Sequence, residues 1–195
     1  MKKSELVMSG FIVLIVALSS APRAGATTLA RLSLEQMARA ADAIVHARCI
    51  SAESRWDRGA IWTFTEFDVL ESLKGAPPER ILVRLPGGRV GNLIANVEAV
   101  PRFQHGEEGF LFLEKMHAGD YSVTAWSEGT FRVQAAVAGG VATVTQDSGA
   151  FPVFDTGTRR FRTDGIRRIP ITAFRERLQT AVATASAGAT QGGIK

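Results

Sequence analysis

The chain has 195 residues, a formal net charge of +4, 46% hydrophobic residues and one cysteine. That length suits a single core better than two, and one cysteine excludes an intramolecular disulfide framework, so stability has to come from burial. Lys2, Lys3 and Arg23 against Glu5 put half of the +4 in the first 26 residues; a generally basic surface loses support, and nucleic acid is disfavoured as a partner.

The N-terminus carries Lys2 and Lys3, then the apolar run from Phe11 to Leu18, then Ala24-Gly25-Ala26. This is the pattern of a secretory signal cleaved after Ala26. A membrane anchor would need about 20 apolar residues, and Ser19, Ser20, Pro22 and Arg23 end the run first. The expected organisation is residues 1–26 as signal peptide, 27–182 as one β-rich domain and 183–195 as a disordered tail. The expected location is periplasmic or extracellular, with no membrane span after cleavage.

Ser33-Leu34-Glu35-Gln36 has the form of a capping box, and Leu34, Met37, Ala38 and Ala41 recur at helical spacing, which predicts a short helix. Two long strands follow. In the first, Val45, Ala47 and Cys49 alternate with His46, Arg48 and Ile50, so one face turns inward and His46 is expected in solvent. On that register Cys49 reads as a small buried hydrophobe rather than a reactive thiol. Asp57-Arg58-Gly59 supplies the turn, and the second strand, rich in β-branched and aromatic residues, ends at Gly75.

Ile81 to Leu85 reads as a third strand closed by the turn Pro86-Gly87-Gly88; that glycine run lacks the spacing of a phosphate-binding loop. Asn92 to Val100 is a fourth strand or an irregular bridge. Phe110 to Glu114 reads as a central strand buried on both faces; His117 to Asp120 turns the chain back through Tyr121 to Trp126, with Gly129 as a bend before Phe131 to Val133, in a second hairpin, and Ala135 to Thr145 is a weaker third, folded at Gly139-Gly140. Gln146 to Pro170 has the composition of a long surface loop. Ile171, Phe174, Leu178 and Val182 then share one face of a closing amphipathic helix. The fold class is therefore mostly β: a small, partly closed antiparallel barrel of the oligonucleotide/oligosaccharide-binding (OB) type, flanked by two helices.

No catalytic or metal motif is present. His46, His105 and His117 lack metal-ligand spacing, and no cofactor is expected. Glu66 and Asp68 share a strand face and Glu107 and Glu108 are adjacent; a solvated surface explains both pairs better than an acid/base dyad. The positive charge is concentrated late, at Arg159, Arg160, Arg162, Arg167 and Arg168, a cluster able to engage a phosphate backbone, anionic lipid or an acidic protein patch, though a solvated loop explains it equally well. At the tip of the long hairpin, Trp56, Asp57 and Arg58 include the residue types that anchor interfaces, and Pro86, Gly87 and Gly88 could join them. Trp56 could instead fold back over the barrel end, the preferred of its two positions.

The run ADAIVHARCISAESRWDRG, followed by FTEFDVLESLKG, VRLPGG and GEEGFLFLEK, resembles a family of exported bacterial proteins of undefined function built on a strand-rich domain. The resemblance covers Leu32 to Val133, and its most specific pieces are Ser54-Arg55-Trp56-Asp57 and Leu73-Lys74-Gly75. More remotely the chain is similar to netrin-like barrels, which include the tissue inhibitors of metalloproteinases. Those inhibitors are disulfide-braced and set an N-terminal cysteine on the protease zinc; with Thr27 first and Cys49 alone, only the architecture carries over. The expected function is an exported, non-enzymatic binding module recognising a protein such as an exported protease, of unknown oligomeric state. The alternative is an exported hydrolase using a carboxylate or histidine.

Overall fold

The computed structural model describes residues 32–136, 139–150, 153–155, 157–162 and 165–191. The expected signal segment and its cleavage point after Ala26 lie outside them, as do residues 192–195 of the expected tail.

Helix α1 (Leu34–Ala40) begins on the expected capping box, with Gln36 N–H donating to Ser33 Oγ at 3.2 Å and Ser33 N–H to Gln36 Oε1 at 2.8 Å. Strands β1 (Ala43–Asp57) and β2 (Ala60–Lys74) then form the long hairpin, paired from Ile44↔Lys74 to Asp57↔Ala60. Arg58 and Gly59 both take positive φ, 48° and 82°, the backbone of the two-residue turn that matches strand twist. Leu73-Lys74-Gly75 closes the hairpin onto α1. Lys74 Nζ donates to the carbonyls of Ala38 and Ala41, satisfying the helix C-terminus. A Cβ at Gly75 would sit 2.6 Å from the carbonyl oxygen of Asp42, so only glycine allows that approach.

Strand β3 (Arg80–Pro86) pairs with β2; β4 (Gly88–Val90) and β5 (Leu93–Ala95) form a small separate hairpin, where the turn Pro86-Gly87-Gly88 and then a fourth strand or an irregular bridge were expected. Strand β6 (Glu108–Lys115) is central, pairing with β1, with β7 (Tyr121–Val123) and with β8 (Thr130–Gln134). The chain loops out between β7 and β8 and is pinned at both ends by Phe112, whose carbonyl accepts from Thr124 and whose amide donates to Gly129. Since β3 pairs in parallel with β7, the order β1-β2-β3-β7-β6 returns to β1, and the sheet closes partly into a ring. Strands β9 (Thr143–Gln146) and β12 (Ile169–Pro170) extend the sheet beyond β8.

Two cores result. Val45, Ala47, Cys49, Phe67, Ile81, Val83, Leu85, Leu111 and Leu113 fill the ring. Ile44, Phe110, Phe112, Phe131 and Val144 pack on its outside against Met37 of α1 and Phe174, Leu178 and Ala181 of helix α2 (Ile171–Gln191). Alternate residues of β6 serve the two cores, as its unbroken apolar run requires.

Three expectations change. His46 is buried, not solvated, because α2 covers the outer face of β1 and the first half of that strand is enclosed on both sides. The segment 146–170 is not a plain loop: it holds a 3-10 turn (Asp147–Ala150), a hairpin of β10 (Val153–Asp155) and β11 (Arg160–Arg162), and β12. Helix α2 runs past Val182 to Gln191, with Ala185 buried, so residues 183–191 are helical; alanine favours helix even where it buries little area.

Candidate functional site: the groove at the mouth of the ring

β1 and β6 pair only as far as Arg48↔Glu108, whereas β1 and β2 continue to Asp57 and Ala60. The far half of the hairpin thus overhangs the ring. Under the overhang, β4, β5 and the segment after Pro101 fold against its inner face and leave a groove of about 330 Å³. Its walls are Ala52, Ser54, Thr63, Gly88, Arg89, Ile94, Ala95, Asn96, Arg102 and Phe103.

Thr63 is the centre of the wall. Its hydroxyl donates to the carbonyl of Gly87 at 2.8 Å, which uses its only proton. The 2.9 Å contact with Ser54 Oγ must then be donated by Ser54, and Arg102 Nη1 donates to the same oxygen at 2.9 Å. Burial pushes the Arg102 guanidinium pKa down from its usual value, yet an arginine remains charged at neutral pH.

The glycines expected at this end act by lacking side chains. A Cβ on Gly87 (φ 83°) would fall 2.7 Å from Arg102 Nη2. One on Gly88 (φ 138°) would fall 2.5 Å from Thr63 Oγ1 and closer still to Ser54 Oγ. Backbone therefore approaches hydroxyl and guanidinium directly.

Gly87 N–H donates to Ile61 O, and Ile61 pairs with Trp56, so the glycine turn and the hairpin tip do share one end. Trp56 is not folded back; it is 54% exposed, on the strand face shared by Ala52 and Ser54. Leu93 and Ile94, in β5 just after the β4–β5 turn, are exposed as well. Asp57 is held by Arg84 at 2.5 Å, and Arg84 lies over the Trp62 ring, so Asp57 braces the hairpin. Pro86 pairs with Trp62. Arg102 was not expected as a site residue: a lone arginine after a proline carries no sequence signal, and only the tertiary approach of Thr63 and Gly87 reveals it.

The other candidates lie elsewhere. Asp68 pairs with Arg80 at 3.0 Å and Glu66 accepts from Ser51 at 3.3 Å, on the outer surface. Glu107 and Asp147 clamp Arg132, which also donates to Arg102 O at 2.6 Å. His46 lies between Arg175 and Glu108 under α2, stacked on Phe110 at 4.6 Å. Since Arg175 can only donate, Nδ1 is the acceptor and the proton sits on Nε2, facing Glu108 at 3.4 Å. Arg159 and Arg160 are exposed on the β10–β11 hairpin, which includes Arg162, and Arg167 and Arg168 are exposed before β12. None of these arginines lines the groove. Among the described residues no three His, Cys, Asp or Glu side chains converge as a metal site, and no helix is long and apolar enough to cross a membrane.

The fold and groove together define a strand-rich domain whose sheet closes partly into a ring with a lined mouth. Compared with protein-family models and with curated proteins, the chain matches none.

Proposed function

We propose that the chain is an exported, non-enzymatic binding module that recognises another exported protein through the mouth of its ring. The observation that carries this is the groove, walled by two arginines, two hydroxyls and apolar side chains and continued by exposed Trp56 on the same strand face. Concave, mostly apolar surfaces with a few placed polar groups are built to bind, and exposed tryptophan and arginine are the usual anchors of protein interfaces. Glu66, Asp68 and the three histidines His46, His105 and His117, the acid/base candidates of the hydrolase alternative, do not line it.

We read the ring as an OB-like barrel, as in the netrin-like proteins. Five strands closing with one parallel pair support this, and in that class the loop between the first two strands contributes to binding. Here that loop is the tip at Trp56, Asp57 and Arg58. Export follows from the signal pattern of the first 26 residues.

The test is retention of a partner from envelope and culture-supernatant fractions by wild type and by a Trp56→Ala, Arg58→Ala double variant shown to be folded by circular dichroism. A partner held by wild type and lost by the variant is expected. Equal retention by both, or none by wild type, overturns the proposal.

A further inference from the structure

Five arginines of the sheet and of α2 are neutralised by carboxylates, whereas among the described residues exposed Arg55 of β1 and Arg177 of α2 carry none. Arg48 carries Glu108 at 2.6 Å, Arg80 carries Asp68, Arg84 carries Asp57, Arg132 carries Asp147 and Glu107, and Arg175 carries Glu71. Arg102 has no carboxylate within ion-pair distance among the described residues; its protein partner is the neutral hydroxyl of Thr63. It is nevertheless held in place. Thr63 fixes Nη1, the backbone of Gly87 lies beneath Nη2, and Arg132 fixes the carbonyl of the same residue. Arg102 is an exposed residue, and a cation held in place at the wall of a groove without a counter-charge is a preformed anion receptor.

The surroundings narrow the anion. Arg89 adds a second positive charge, whereas the Ser54 proton is committed to Thr63, so the charge of the anion has to be met by the two guanidinium groups. The remaining walls include Ala52, Ile94 and Phe103, which offer nothing to a fully hydrated ion. They suit a stem that brings its own apolar surface.

We propose that the groove binds a carboxylate borne on an apolar stem, supplied by a peptide segment of the protein partner, with Arg102 as its charged anchor. This rests on the chain being a protein-binding module, but its test needs no partner in hand. Four probes are titrated at millimolar concentration into the purified, isotope-labelled chain, and the amide resonances of Ser54, Thr63, Gly88 and Ile94 are followed. N-acetyl-leucine presents a chain-terminal carboxylate, the α-amide of N-acetylglutamate a side-chain carboxylate, N-acetyl-leucinamide the same apolar stem uncharged, and inorganic phosphate a charge without a stem.

At least one of the two carboxylates is expected to shift those four amides, the tighter one identifying the source. The uncharged amide and phosphate are expected to bind at least about ten-fold more weakly, and Arg102→Gln to weaken the carboxylate by a similar factor. If Arg102→Gln fails to fold, Ile94→Asp, at an exposed position, serves instead: a carboxylate on the groove wall should weaken the probes by repulsion. No shift at the groove overturns the proposal, as do equal binding of the amide, equal binding of phosphate, or indifference to both substitutions. Failure here with a partner still retained through Trp56 and Arg58 would remove the carboxylate site and leave the binding module. Groove binding with no partner retained would do the reverse.

Discussion

Arg102 Nη1 and Thr63 Oγ1 meet at 2.9 Å across the mouth of the ring, joining the segment after Pro101 to the overhanging half of β2. The same hydroxyl bonds Gly87 and Ser54, so one side chain links four parts of the site. Thr63→Val keeps the shape and removes the oxygen. The buried Gly87 carbonyl is then orphaned, and a loss of about 1–3 kcal/mol is expected, read as a lower denaturant midpoint at unchanged slope. Thr63→Ser should recover most of it.

Arg132 ties the mouth to the far side of the sheet. It pairs with Asp147 and Glu107, donates to the carbonyl of Arg102 and lies 4.9 Å from the centre of the Phe103 ring. Burial acts to lower its pKa, but the two carboxylates outweigh that and hold it above the usual arginine value. Arg132→Met leaves both acids without their cation, and with the pair partly exposed a loss of about 2–3 kcal/mol is expected. In equilibrium unfolding, adding Asp147→Leu to Arg132→Met should cost less than the two single losses combined.

His46 makes stability depend on pH. Burial pushes its pKa below the ordinary 6.5; Glu108 opposes the shift, Arg175 adds to it and Glu71 opposes it weakly. Between the lowered folded value and 6.5 the unfolded chain binds more protons, so stability rises with pH across that window. The contribution is fully present above 6.5 and is lost as pH falls toward the folded pKa. Unfolding midpoints at pH 7.5 and 5.5 should therefore differ less for His46→Gln than for wild type; an identical difference contradicts this.

Cys49 is fully buried in the ring core, and burial, then Glu107, push its thiol pKa up, against a smaller opposing effect of Arg132. A buried, protonated thiol is a poor nucleophile. Native protein should resist iodoacetamide and become alkylated at Cys49 only in denaturant. Rapid native labelling would show that β1 opens.

The long hairpin is legible in the chain because Val45, Ala47 and Cys49 alternate and a two-residue turn follows Asp57. The same alternation misplaces His46, since period two reports the face turned to the ring and is blind to a helix arriving from 125 residues later on the other face. Residues 146–170 look like loop because their strands are two or three residues long, too short to leave a period. Gly87 and Gly88 announce a turn, but their close approach to Thr63 and Arg102 depends on neighbours distant in sequence. For that reason the tip at Trp56 could be picked out, whereas Arg102 could not.

Site-specific photo-crosslinking tests most directly whether the mouth of the ring is the binding surface. A photoreactive phenylalanine analogue is placed singly at Trp56, at Ile94 and, as controls, at exposed Leu70 and Phe161, and the exported chain is irradiated in envelope and supernatant fractions. Crosslinks to one common protein from Trp56 and Ile94, and none from Leu70 or Phe161, are the predicted result. Crosslinks from the control positions with none from the mouth would contradict it.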